Sequence, residues 1–210
     1  MTPHASRLTP HPLRGLYAIT SELVCRNEKL LLTAVESALR GGAVLIQYRD
    51  KWNEPATRNR YARALAGLCR DHGVPLIIND DPPLAADSGA DGVHLGASDT
   101  ALARARDLLG ENAIIGVTCG NRIERALIAQ DAGASYVSFG RFFDSRTKPE
   151  APPAEMTLLH EARPRIRIPI CAIGGLTPEN AAPLIAAGAN LIAAVGGVFA
   201  ASDIEAAARA

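Results

Sequence analysis

Five polar residues, Gln47-Tyr48-Arg49-Asp50-Lys51, close the apolar run at 44–48. Side chains of a strand alternate between its faces, so Gln47, Arg49 and Lys51 share one side. Two cations on the inner side of a sheet need anionic partners, either carboxylates or a bound phosphate. Carboxylates follow the next two apolar runs, in Asn79-Asp80-Asp81 and in His94-Leu95-Gly96-Ala97-Ser98-Asp99. Asp80 and Asp99 are therefore expected on neighbouring loops. Two carboxylates beside a pyrophosphate suit Mg2+, which keeps several waters and takes one or two protein ligands. Asp80-Asp81 before Pro82 is also a helix N-cap pattern. His94, inside the apolar run 92–95, reads as an interior hydrogen-bonded histidine rather than a metal ligand.

Thr118-Cys119-Gly120-Asn121 follows the fifth apolar run. Thr118 offers a hydroxyl to an anion. Cys119 has no histidine in the same loop to activate it, and an unactivated thiol stays protonated, which argues against a cysteine nucleophile. The polar, cationic stretch 141–149 contains Ser145, Thr147 and Lys148 and precedes Pro152-Pro153. It reads as a lid able to close over an anionic substrate. Gly174-Gly175 and Gly196-Gly197 follow the last two apolar runs. Glycines let backbone N–H groups approach a phosphate, and these are the two loops that most often build a barrel's phosphate site.

The elements that position these residues are short apolar runs at 16–20, 44–48, 75–79, 92–95, 113–118, 136–140, 169–174 and 191–195. Each has the character of a strand buried on both faces. Amphipathic stretches at 28–41, 56–72, 82–89, 100–109, 121–133, 153–163, 178–188 and 202–209 read as helices. Thr177, Pro178 and Gly188 mark the clearest helix start and stop. GGAVLIQYRD, GADGVHLGAS, GASYVSFGRF and GANLIAAVGG repeat one signal, a helix-ending glycine followed by a strand. Eight strand–helix units predict one α/β domain over 14–210, a compact (β/α)8 TIM barrel. An open doubly wound sheet is the alternative, but no GxGxxG follows the first strand. Residues 1–13 read as a disordered N-terminal tail.

Composition narrows the function. Lys+Arg and Asp+Glu each number 22 in 210 residues, so the net charge is zero, unlike the basic surface of a nucleic-acid binder. Aromatics are only 4%, too few for a base-stacking platform. No run reaches the 18 or more apolar residues of a membrane span, and the first 15 residues lack a signal-peptide core. Cys25, Cys69, Cys119 and Cys171 are widely spaced. They read as reduced packing thiols of a cytoplasmic protein.

The pieces QYRDK (47–51), IIND (77–80), GADGVHLGASD (89–99), IIGVT (114–118), SRTKP (145–149) and IPICAIGGLTPEN (168–180) stand in an order and spacing that resembles the thiamine-phosphate synthase family. The resemblance extends to that family's thiazole-tautomerase relatives. It implies a transferase of thiamine biosynthesis. Such an enzyme joins a hydroxymethylpyrimidine pyrophosphate to a thiazole phosphate through a dissociative step and releases pyrophosphate. By the same resemblance, Arg49, Lys51, Asn79, Thr118 and Lys148 hold the pyrophosphate, with Arg49, Lys51 and Lys148 as the catalytic cations. Asp80 and Asp99 bind Mg2+, and Gln47 meets the pyrimidine. Ser145 and Thr147 meet the thiazole, while Gly174, Gly175, Gly196 and Gly197 hold its phosphate. The chain departs from the family pattern at Ala97, Gly120, Arg141, Asp144 and Gly196-Gly197. Gly120 replaces a histidine that the tautomerases use as acid and base. A non-catalytic phosphate-ligand binder or a tautomerase-like enzyme is the alternative, and a homodimer is the oligomer considered.

Overall fold

The structure is a computed structural model that describes residues 13–96, 99–145 and 152–210, with Asp99 and Thr100 described by backbone only. Strand and helix alternate along the chain. The first half comprises β1 (Gly15–Ile19), α1 (Glu28–Arg40), β2 (Leu45–Tyr48), α2 (Pro55–Asp71), β3 (Leu76–Asn79), α3 (Pro82–Ser88) and β4 (Gly92–Leu95). Then come α4 (Asp99–Leu109), β5 (Ile114–Gly120), α5 (Ile123–Asp131), β6 (Tyr136–Phe139) and α6 (Thr157–Ala162). The chain ends with β7 (Ile170–Ile173), α7 (Pro178–Ala186), β8 (Leu191–Ala194), α8 (Gly196–Phe199) and α9 (Ile204–Arg209). The strands are parallel and close in sequence order, with β8 pairing back onto β1 from Gly15↔Leu191 to Ala18↔Ala194. That pairing excludes the open sheet: this is a (β/α)8 barrel.

Alternation along each strand produces two cores. Tyr17, Ile19, Leu45, Ile77, Tyr136, Cys171, Leu191 and Ala193 fill the barrel interior. The residues between them, such as Ala18, Ile46, Ile78 and Val137, face outward against the helices. Each strand is thus covered on both faces, which explains its uninterrupted apolar run.

Local chemistry sets the boundaries. Asp81 caps α3 through Oδ1, which accepts from Leu84 N at 3.0 Å. Asn180 Oδ1 accepts from Thr177 N at 2.9 Å, locking the start of α7. Gly188 follows that helix at φ +113°, a conformation side chains rarely tolerate.

Three boundaries differ from the sequence reading. Cys119 and Gly120 extend β5 beyond the expected run 113–118, with a register shift between Thr118 and Gly120 that carries pairing on to Phe139. Gly196 and Gly197 open the short helix α8 instead of forming an extended loop. The helix expected over 153–163 is confined to α6, and its first residues are not helical. The expected tail lies outside the described residues except for Leu13.

Candidate active site

A cavity of about 580 Å³ opens at the C-terminal ends of the strands. Ten of the expected site residues line it: Gln47, Arg49, Asn79, Asp80, Thr118, Ser145, Gly174, Gly175, Gly196 and Gly197. They come from six strand ends and loops spread over the whole sequence. Lys51 reaches the same rim, with Nζ 3.4 Å from Asp80 Oδ2. Thr147 and Lys148 lie outside the described residues, as does the Asp99 side chain. The Asp99 backbone begins α4, directly beyond β4.

The loop after β2 is held by a buried carboxylate. Asp50 Oδ1 accepts from the N–H groups of Trp52 and Asn53, both at 3.0 Å. Asp50 Oδ2 accepts from Tyr48 Oη at 2.7 Å and Asn53 Nδ2 at 2.8 Å. Burial alone would raise this carboxyl's pKa. The hydrogen bonds from Asn53, Trp52 and Tyr48 outweigh it and hold the group below the usual carboxylate range. Arg49 and Lys51 flank this anchor. Arg49 stacks over Trp52, its guanidinium carbon 5.6 Å from the ring centroid.

Asp80 follows β3 in a left-handed conformation at φ +61°. Its N–H still donates to His94 O at 2.8 Å, so the turn begins on a paired strand end. Its carboxylate accepts from Asn79 Nδ2 at 2.7 Å. The Lys51–Asp80 pair is about half exposed on each side, so its net stabilisation is at most about 1 kcal/mol and it exchanges readily for a ligand.

The glycines bring two loops together. A Cβ on Gly174 would lie 2.3 Å from Arg141 Cβ, and one on Gly175 would lie 2.4 Å from Asp144 O. The segment after β6 therefore packs directly on the turn after β7. Arg141 lines the cavity and pairs with Asp144 at 2.6 Å.

His94 is an interior hydrogen-bonded histidine, as expected. Its Nδ1 is 2.9 Å from Tyr136 Oη and its Nε2 is 2.9 Å from Thr118 Oγ1. Cys119 is fully buried, its Sγ 3.6 Å from Val117 O. Tyr17, Ser138 and Arg125 also line the cavity and were missed. Tyr17 and Ser138 lie in apolar strand runs whose alternation was the signal that could have found them, while no sequence signal marked Arg125.

A divalent cation would fit this rim. Among the described residues no group of three or more His, Cys, Asp or Glu is gathered for a metal. Mg2+ needs no such cage beside a pyrophosphate, and Asp80 supplies a half-exposed carboxylate at the cavity rim beside Lys51.

Fold and site together define a (β/α)8 barrel with a cation-lined active-site cavity at its C-terminal end. The model of one family, described as thiamine monophosphate synthase, matches residues 16–198. A thiamine-phosphate synthase of Marinobacter nauticus is 54% identical over 198 residues, covering 93% of this chain and 88% of that protein. One from Nitrosococcus oceani is 52% identical over 199 residues, covering 94% and 91%. The solved thiamine phosphate pyrophosphorylase of Pyrococcus furiosus superposes with a TM-score of 0.83 at 29% identity, covering 94% and 93%. The chain belongs to the thiamine monophosphate synthase family.

Proposed function

We propose that the chain is a thiamine-phosphate synthase that joins hydroxymethylpyrimidine pyrophosphate to thiazole phosphate and releases pyrophosphate. The observation that carries this reading is the convergence of Arg49, Asn79, Asp80 and Thr118 on one cavity, with Lys51 at its rim. That set has donors and cations for a departing diphosphate and no activated nucleophile.

The chemistry follows from that inventory. The bond between the pyrimidine methylene and the pyrophosphate oxygen breaks, and the electron pair leaves with the pyrophosphate. The thiazole nitrogen then donates its pair to the methylene carbon. Arg49, Lys51, Asn79, Thr118 and Lys148 bind the pyrophosphate and stabilise the charge that builds on it. Gln47 orients the pyrimidine. Ser145 and Thr147 meet the thiazole, and the backbone at Gly174-Gly175 and Gly196-Gly197 faces its phosphate. Asp80 and Asp99 would hold Mg2+, which when bound supplies further positive charge to the leaving group. The 141–149 segment keeps water from the carbocation.

A single-turnover mixture of the protein, Mg2+ and both precursors is expected to yield thiamine phosphate. Asp80→Ala and Lys148→Ala should each lower the rate by about 10²-fold or more. Chelating the metal should act like Asp80→Ala. No product from wild type, with precursors that a known synthase converts, would overturn the reading.

A further inference from the structure

Five side chains form one hydrogen-bonded chain through the barrel interior. Gln47 Nε2 lies 2.5 Å from Tyr17 Oη, and Tyr17 Oη lies 2.7 Å from Tyr136 Oη. Tyr136 Oη is 2.9 Å from His94 Nδ1, and His94 Nε2 is 2.9 Å from Thr118 Oγ1. Both ends, Gln47 and Thr118, line the active-site cavity. The tyrosines between them are buried, at 1% and 0% exposure, and Tyr17 and His94 also border the cavity.

The chain exists because β5 is bare at its centre. Gly116 stands level with His94 on one side and Tyr136 on the other. A Cβ there would lie 2.0 Å from Tyr136 Cζ. The Tyr136 ring crosses over Gly116 to reach His94.

A phenol and a neutral imidazole each have one hydrogen to give, so a chain that keeps all three hydrogens inside itself runs in one of two directions. In the first, Gln47 Nε2 donates to Tyr17, Tyr17 to Tyr136, Tyr136 to His94 Nδ1, and His94 Nε2–H to Thr118 Oγ1. The cavity then receives the Gln47 carbonyl oxygen as acceptor and the Thr118 O–H as donor. In the second, every bond reverses, and the Tyr17 hydrogen needs Gln47 Oε1 as its acceptor. The cavity then receives the Gln47 amide hydrogens and a Thr118 lone pair. An anion beside Thr118 requires a donor there, which selects the first direction.

We propose that the chain runs from Gln47 to Thr118, with Tyr17, Tyr136 and His94 as positioning residues that tie an acceptor at Gln47 to a donor at Thr118. A ligand with an amino group at one end and a diphosphate at the other satisfies both ends together. This inference rests on the proposed function for its ligand, an aminopyrimidine diphosphate. The direction of the chain itself is testable without that reading.

Nitrogen-15 NMR of the full chain reads the His94 tautomer. The neutral Nε2–H form is expected in wild type, and either an Nδ1–H form or a doubly protonated ring overturns the proposal. Tyr17→Phe and Tyr136→Phe each remove one hydroxyl and keep the ring. Without Tyr136 Oη, the Tyr17 hydrogen turns to Gln47 Oε1 and reverses the amide. Without Tyr17 Oη, the amide is unpinned. Wild type is expected to favour the aminopyrimidine diphosphate over its analogue with hydrogen in place of the amino group, by about tenfold or more in kcat/KM. Both variants should lose most of that preference, mainly through KM. A preference kept in both variants overturns the relay. A wild type that makes no product sinks the proposed function instead, and the tautomer still decides the direction.

Discussion

Asp80 shows how much one residue's setting determines. It occupies a left-handed backbone position at φ +61°, a conformation that is uncommon outside glycine and concentrated at functional sites. Its ion pair with Lys51 is half exposed and adds little to stability. Asp80→Asn is therefore expected to leave the melting temperature within about 2 °C while lowering kcat/KM by about 10²-fold. A loss of activity that tracks a loss of folded protein would assign Asp80 a structural role instead. The cysteines are the opposite case. All four are buried, and burial pushes the Cys25 and Cys69 thiols up to about 12. Thiolate is the reactive form, so iodoacetamide at pH 8 should leave the native protein active and unlabelled. Rapid labelling with loss of turnover would reopen a cysteine mechanism. The sequence argues against a nucleophilic Cys119 on its own ground, because no histidine shares its loop.

At the scale of elements, the loop after β2 decides where Arg49 and Lys51 stand. Asp50 accepts four hydrogen bonds there. Because its folded pKa is depressed, the ionised group stabilises the fold above the unfolded carboxylate value of about 3.9. That stabilisation is lost as pH falls through this value to the lower folded one, since the unfolded chain binds the proton first. Thermal unfolding from pH 7 down to pH 3 should therefore show a steeper loss in wild type than in Asp50→Asn. The variant should be about 1–3 kcal/mol less stable at pH 7. Parallel curves would remove Asp50 from the anchor. Asp50 sits in the QYRDK run, yet its role was not legible. Strand alternation assigns it a face but does not show that Asn53 and Trp52 fold back onto it. The short helix α8 was hidden for a similar reason. Gly196-Gly197 is a loop signal by composition, and it becomes a helical turn where Gly197 packs against Leu176 O, which a Cβ would approach to 2.2 Å.

For the whole molecule, closure is the deciding event. β8 pairs with β1, and outside that seam α9 packs on α1. Arg40 Nε donates to Glu205 Oε2 at 2.9 Å across this contact. A Cβ on Gly41 would lie 2.5 Å from both Ala208 Cβ and Glu205 O. Gly41→Ala should cost about 1–3 kcal/mol by overpacking, with kcat unchanged because the site lies at the other end of the barrel. Unchanged unfolding would show that the C-terminal helix adds nothing to closure. The amino-acid order alone specifies the alternation of strand and helix, because runs buried on both faces and glycine-ended helices are written locally. It also determined the polar groups at the strand ends, because those types and spacings survive without coordinates. Which interior side chains meet is set by the closed barrel. Tyr17 and Tyr136 read as ordinary residues of apolar strands. Their contact with each other, and with His94 and Gln47, depends on the stagger of strands around a closed barrel and on the space left by Gly116. Those are long-range geometric facts that no local period encodes.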